Sequence, residues 1–233
     1  MGFRRDLVCA VVFCLAASRF LMAQGVLMVE KTTIGDTPHI HQIQIEGNRM
    51  RIETGWTSPK PVMIFDGVAD LFQILAVDKK SYTEIPRARS YFQRIGDSGG
   101  FFGVGARPPA VEYRRAGSDT VGNWLCENYE GFLGPKKVSE ICTVEPRALG
   151  FGFHEFEPFQ ALLGLVGRGE ATHPGMFLMG MSGEGDLTGL PVRFEKFVDP
   201  VAPQEVTEVT EVTRQTFPAP TFKVPAGYQK VVR

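Results

Sequence analysis

A chain of 233 residues, 43% of them hydrophobic, has room for one domain with a sizeable core or for a domain carrying a large insertion. Its 25 Lys and Arg stand against 26 Asp and Glu, for a formal net charge of −1, which excludes the basic surface a nucleic-acid partner wants. Past the N-terminal segment no stretch is apolar enough to span a membrane.

The first residues read as an export signal. Arg4 and Arg5 supply a positive n-region, and Leu7 to Ala17 form an apolar h-region too short to cross a bilayer. Leu21-Met22-Ala23 is an acceptable cleavage tripeptide, although Leu21 is bulkier than the usual small residue. The expectation is a signal peptide over 1–23 and a single β-rich domain over 24–233, beginning at Gln24 and residing in the periplasm or medium. Cys14 opens a lipoprotein reading, but Phe13 sits where a lipobox needs a small residue, and Cys9 and Cys14 leave with the signal. Cleavage removes three basic residues, Arg4, Arg5 and Arg19, and one acid, Asp6, so 22 basic residues remain against 25 acidic ones.

The mature chain reads mostly as strands. His39 to Thr54, HIHQIQIEGNRMRIET, alternates strictly on both sides of Gly47-Asn48, a hairpin signal. Pairing about that turn sets Ile45 opposite Met50 and Ile43 opposite Ile52 on an apolar face, with Glu46 opposite Arg49 and Gln44 opposite Arg51 on a solvated one. Further strands are expected at 62–66, 71–77 and 81–85, separated by Asp66-Gly67 and Asp78-Lys79-Lys80. The period then changes. Pro86 suits a helix N1 position, Ala88, Tyr91, Phe92 and Ile95 fall at helical spacing, and Gly96 stops the helix. A Gly/Pro-rich loop follows at about 96–110.

Beyond the loop come strands at about 111–116, 121–132 and 136–144. A hairpin centred on Gly134 brings Cys126 directly opposite Cys142, within reach of a disulfide in an oxidising compartment. A short helix is expected at 146–149, ending at Gly150, and a second at about 158–166, then strands at 176–181, 191–198 and 205–217. The last contains Glu-Val-Thr three times, and its β-branched residues favour a strand over a helix.

Chemistry-bearing patterns are sparse. His39 and His41 share one face of a strand and could begin a metal site, but with no third ligand nearby a strand-end surface pair fits better. His154-Glu155-Phe156-Glu157 lacks the second histidine of a helical zinc motif and leads into a helix. Gly180-Met181-Ser182-Gly183 misses the nucleophile-elbow spacing by one residue, and the glycines at 99–105 lack the lysine of a phosphate-binding loop. Arg87, Arg89 and Arg94 make a solvated helix face. The residues thus point to no catalytic group, no metal and no cofactor.

Three blocks carry a resemblance. EYRRAGSDTVGNWLCENYEGFLGPKKVSEICTVEPRALGF at 112–151, LPVRFEKF with EVTEVTEVTRQTF downstream, and the ending FKVPAGYQKV resemble an exported bacterial family known only as a domain of unknown function. Its G-x-W-x-C-x-x-Y, E-x-C and V-P-A-G-Y motifs occur here together and in order, and Arg51-Ile52-Glu53-Thr54 and Ile64-Phe65-Asp66-Gly67 match further elements, Phe65 replacing a tyrosine. More remotely, the layout of signal, one-faced strands and interrupting helices is similar to the periplasmic lipoprotein carriers of the Lol type. That resemblance implies a curved antiparallel half-barrel whose concave side holds acyl chains under a helical lid.

The fold expected is therefore mainly β (α+β): a curved antiparallel sheet or half-barrel with a few short helices packed on one face. Two functions from different classes follow. One is a non-catalytic envelope protein that binds a lipid, acyl chain or lipoprotein on the apolar face built by Ile43, Ile45, Met50 and Ile52. The other is a structural or accessory envelope protein whose own helices fill that face.

Overall fold

The computed structural model describes residues 24–55, 61–91, 111–159, 161, 183–184, 189–199 and 202–232. Their strands are β1 (Gly25–Ile34), β2 (Thr37–Glu46), β3 (Arg49–Glu53), β4 (Pro61–Asp66), β5 (Leu71–Ala76), β6 (Ser81–Pro86), β7 (Val111–Val121), β8 (Trp124–Leu133), β9 (Lys136–Val144), β10 (Gly183–Glu184), β11 (Leu190–Asp199), β12 (Ala202–Gln215) and β13 (Gln229–Lys230). All belong to one open, curved sheet of order β10-β7-β8-β9-β11-β12-β1-β2-β3-β4-β5-β6-β13. The chain meanders outward from β1 to β6, resumes at the far edge with β7, and works back until β12 closes beside β1. Only the two-residue strands β10 and β13, laid on the edges, pair parallel.

The β2–β3 hairpin has the expected register, Ile45↔Met50, Ile43↔Ile52, Glu46↔Arg49 and Gln44↔Arg51, around Gly47 at φ +57°. Strand β1 has no counterpart in the sequence reading, because GVLMVEKTTI does not alternate. Register explains why. Val26 and Met28 sit beside Ile45 and Ile43, Glu30 faces His41, and the opposite side carries the half-buried Leu27 and Val29, so both faces hold apolar residues.

Pro86 closes β6 opposite Leu71 instead of opening a helix. Arg87 takes a left-handed φ of +53°, and a helical turn over 88–91 starts where the Ala88 N–H reaches the Asp70 carbonyl at 3.0 Å. The rest of that expected helix, most of the one expected at 158–166, the loop at 96–110 and the strand at 176–181 lie outside the described residues, as do residues 1–23. Strand β7 is longer than expected, continuing to Val121 through a bulge between Arg115 and Gly117 before the Gly122-Asn123 turn. Pro146–Leu149 is a 3-10 turn closed by Gly150 at φ +83°, Phe153–Phe156 is another, and 157–159 is a helical turn.

The triple Glu-Val-Thr repeat lies in β12, and a bulge resolves its conflict of period. A repeat of three cannot keep one residue type on a single face of a strand with period two. Opposite β1 the register passes from Val29↔Glu211 to Glu30↔Val209, leaving Thr210 as the extra residue. The insertion turns both Val209 and Val212 toward the main core.

Cys126 and Cys142 are disulfide-bonded, with Cα atoms 5.5 Å apart, but they are not directly opposed: Cys142 stands opposite Asn128. The turn is the two-residue Gly134-Pro135, flanked by Leu133↔Lys136, and alone it would point the cysteines to opposite faces. A bulge between Gly131 and Phe132 makes Val138 the extra residue, which restores a common face and leaves the bridge diagonal.

The tail after β12 straps the face of β3–β6 opposite to Ile43 and Ile45. Phe217 covers Gly25, where an added Cβ would lie 2.6 Å from its ring. The Phe222 ring stacks edge-on against Phe217 at 5.6 Å and lies under Arg49, and Arg51 Nη1 donates to the Thr221 carbonyl at 3.2 Å. Val224 and Tyr228 then pack on Val62, Ile64, Leu75 and Tyr82, and β13 pairs along β6, with the Val231 N–H on the Tyr82 carbonyl at 2.8 Å. The V-P-A-G-Y motif at 224–228 is thus the part of the strap that buries this second apolar face.

Candidate functional site

The four apolar candidates come together on the inner face, the face along which β1 presents Val26, Met28, Glu30 and Thr32. Ile43, Ile45, Met50 and Ile52 are at most 5% exposed, and they share one cluster with Val26, Met28, Met63, Phe65, Phe72 and Ile85. Cross-strand register makes the patch continuous, Val26↔Ile45↔Met50↔Phe65↔Phe72↔Ile85 and Met28↔Ile43↔Ile52↔Met63↔Ile74. Three of its side chains are methionines, which adapt their shape to what they pack against.

A cover lies over this patch. Ala88, Phe151, Phe156 and Phe159 are buried in the same cluster, with Tyr91, Leu149 and Ala161 partly so. Its 145–157 portion is two single 3-10 turns, and among the described residues their backbone-to-backbone hydrogen bonds stay within the segment: Ala148 to Glu145, Gly150 to Arg147, Phe151 to Pro146 and Glu155 to Gly152. Attachment to the sheet is through side chains. Arg214 of β12 pairs with Glu155 at 2.5 Å, donates to the Gly150 carbonyl at 3.2 Å and lies over the Phe151 ring at 4.7 Å. Glu155 also accepts the Gly152 N–H at 2.7 Å, and although burial pushes its carboxyl up, the Arg214 and Gly152 bonds hold it below the usual range.

Farther along β1 the same face turns polar. Glu30 stands between His41 and Val209 on the neighbouring strands, and Thr32 Oγ1 meets Thr207 Oγ1 at 2.8 Å. Glu30 is 2% exposed, its Oε1 has no hydrogen-bond partner, and burial pushes its pKa up to about 8. His41 is buried, which corrects the expected strand-end surface pair. Opposite β1 it faces inward, its Nδ1 accepts the Gly55 N–H at 3.2 Å, and burial with the neighbouring His39 lowers its pKa to about 4. Both groups are therefore neutral near pH 6.

Glu30 escaped the sequence reading because β1 did. Its one signal was a lone carboxylate at the centre of Val26–Thr33, where apolar residues come before it and Lys31 and two threonines after it. Elsewhere, Arg89 of the expected basic face engages Asp70 at 3.8 Å and the Gly67 carbonyl at 2.9 Å, while Arg94, Gly99–Gly105 and Gly180–Ser182 lie outside the described residues. Among the described residues no group of three or more His, Cys, Asp or Glu side chains could hold a metal ion, and no helix is long and apolar enough to cross a membrane.

No protein-family model matches the sequence, and no curated protein does, so the motif blocks quoted above do not join the chain to a family. Solved structures do resemble it. An uncharacterized conserved protein from Thermus thermophilus is 9% identical with a TM-score of 0.51, over 97% of this chain and 99% of that one. At that identity the likeness is one of fold. MucB, in its complex with MucA(peri), is 11% identical with a TM-score of 0.44 over 96% of this chain and 62% of that one. A LolA-superfamily protein from Nitrosomonas europaea is 9% identical with a TM-score of 0.31 over 88% and 92% of the two chains.

Proposed function

We propose that the protein is an exported, non-catalytic envelope protein that holds an apolar chain, the acyl group of a lipid or lipoprotein, on the inner face of its sheet beneath the 145–159 cover. The observation that carries this reading is how the cover is attached. It lies on a continuous apolar patch, yet its described backbone-to-backbone bonds are all internal and one arginine clamps it to β12. Lifting it would break side-chain packing and the Arg214 contacts without opening a ladder. Export is supported by the n-region and h-region of residues 4–17 and by a disulfide, which persists in oxidising compartments.

A second reading has its own support. Ile43, Ile45 and Met50 are no more than 1% exposed beneath the chain's own phenylalanines, as in the filled core of a structural protein. Charge on the face separates the two. In a filled core a glutamate at Ile45 or Ile52 is a buried unpaired charge that costs several kcal/mol, enough to unfold a marginal domain. In a cup that opens to a ligand, Ile45→Glu and Ile52→Glu proteins stay folded by circular dichroism and lose binding of a fluorescent acyl probe, which is the expected result. Unfolded or insoluble variants overturn the carrier reading. Native mass spectrometry of protein recovered from the producing cell should show a chain starting at Gln24 with an acyl-bearing adduct.

A further inference from the structure

Glu30 is the anomaly of the inner face. Between Met28 and Thr32 along β1, and beside His41 and Val209 across it, a leucine or methionine would bury no carboxyl, whereas the glutamate loses its hydration and gains no partner for Oε1. The Thr32 and Thr207 hydroxyls farther along the face bond to each other, and Oε1 takes no hydrogen bond from either. A buried carboxyl oxygen left unsatisfied at the end of a continuous apolar patch marks a place where local stability has yielded to another requirement. An acyl chain lying over Met28 and Ile43 would bring its head group to this point of the strand. Resting on the carrier reading above, we propose that Glu30 is the hydrogen-bonding anchor for the uncharged head, a hydroxyl or primary amide, of a single-chain aliphatic ligand held on the inner face.

The chemistry selects the head. At neutral pH the carboxyl is protonated, so it has one O–H to give and one carbonyl oxygen to share. An alcohol or primary amide answers both, an ester answers only the O–H, and a fatty-acid carboxylate would place an anion beside Met28, Thr32, His41 and Val209, none of which is cationic there. No bond is made or broken.

The test is competition at pH 7 against a dansyl-labelled dodecyl ester bound to the mature protein, using 1-dodecanol, dodecanamide, methyl dodecanoate and dodecanoate. Dodecanol and dodecanamide should compete at least tenfold better than the other two. Glu30→Leu should level the series while still binding the probe, and Glu30→Gln, which keeps one donor and one acceptor in place, should preserve the ranking. An unchanged ranking in Glu30→Leu, or dodecanoate as the best competitor of the wild type, overturns the assignment of Glu30 and leaves the carrier reading standing. Absence of probe binding to wild-type protein overturns both.

Discussion

The two wings of the sheet are stabilised by different means. The β1–β6 wing has a layer on each side: the aromatic cover on the inner face, and the C-terminal strap with Phe217, Phe222, Val224 and Tyr228 on the other. In the β7–β9 and β11 wing, β7 is exposed along most of its length, and the recurring contacts are charged: Arg115 with Glu127, Lys137 with Glu130 and Glu140, Arg193 with Asp119 and Glu195. The exposed Arg115–Glu127 pair contributes little, whereas Lys137 and Arg193 are largely covered. The disulfide lies in this wing, buried in the main cluster with Val121, Val144, Leu190 and Val192, while Tyr113, Tyr129 and Ile141 form a small separate cluster. One continuous sheet thus adds a C-terminal strap to its apolar core at one end and a covalent staple at the other, and the strap and the bridge are equivalent in purpose.

That equivalence is broken most severely by removing the strap. Deleting residues 217–233 uncovers Val62, Ile64, Leu75 and Tyr82 and leaves the β6 edge bare. Burying an aromatic or large aliphatic side chain contributes roughly 2 kcal/mol, so losing four anchors together with the surface beneath them should exceed 5 kcal/mol. The truncated protein is expected to be insoluble or to melt at least 15 °C lower, with aggregation through the exposed edge. A truncated chain with unchanged melting would show that the outer layer is decoration and the comparison misconceived.

How legible each wing was in the sequence follows from the same contrast. The β2–β3 hairpin could be read residue by residue, because one face is apolar, the other is charged and the turn has its glycine. Strand β1 could not, since Leu27 and Val29 are half-buried on the outer side and Glu30 occupies the inner one, which erases the alternation. The strap was hidden for a related reason. Phe217, Phe222, Val224 and Tyr228 follow no period, and only the fold supplies the surface that makes them anchors. In the other wing the cysteine pair could be picked out but its register could not, because a bulge at Val138 changes the count without leaving a mark in composition. Of the inner face, its apolar residues were legible and Glu30, the group that would give it selectivity, was not.

Cutting the staple is the second way to probe the comparison, with a smaller effect. The Cys126–Cys142 bridge spans a sequence separation of 16, and a loop of that size corresponds to about 3 kcal/mol on the chain-entropy model. Cys126→Ala and Cys142→Ala should each lower stability to urea by up to that amount, and the double variant should add little, since one bond is removed in all three. If the β1–β6 wing is independently layered, hydrogen-exchange protection at Ile43 and Ile52 should outlast that at Tyr129 and Ile141 in the reduced protein. Equal loss of protection in both wings would mean that the staple supports the whole sheet.

The mildest perturbation acts at the junction of the wings, through the neutral pair Glu30 and His41. The Glu30 pKa rises from 4.5 to about 8 on folding, so its contribution is complete below about pH 4.5 and is lost as pH climbs toward 8. His41 falls from 6.5 to about 4, so its contribution is complete above about pH 6.5 and is lost as pH drops toward 4. Between pH 4.5 and 6.5 the two slopes oppose one another, and stability should be nearly flat. Above 6.5 only Glu30 still acts, at about 1.4 kcal/mol per pH unit, giving a loss of about 2 kcal/mol by pH 8. Replacing the acid exposes the histidine. Glu30→Gln should abolish the decline above pH 6.5 and convert the plateau into a rise from pH 4 to 6.5, whereas wild-type and variant profiles that run parallel across this range would show that Glu30 is ionised in the folded protein as in the unfolded chain.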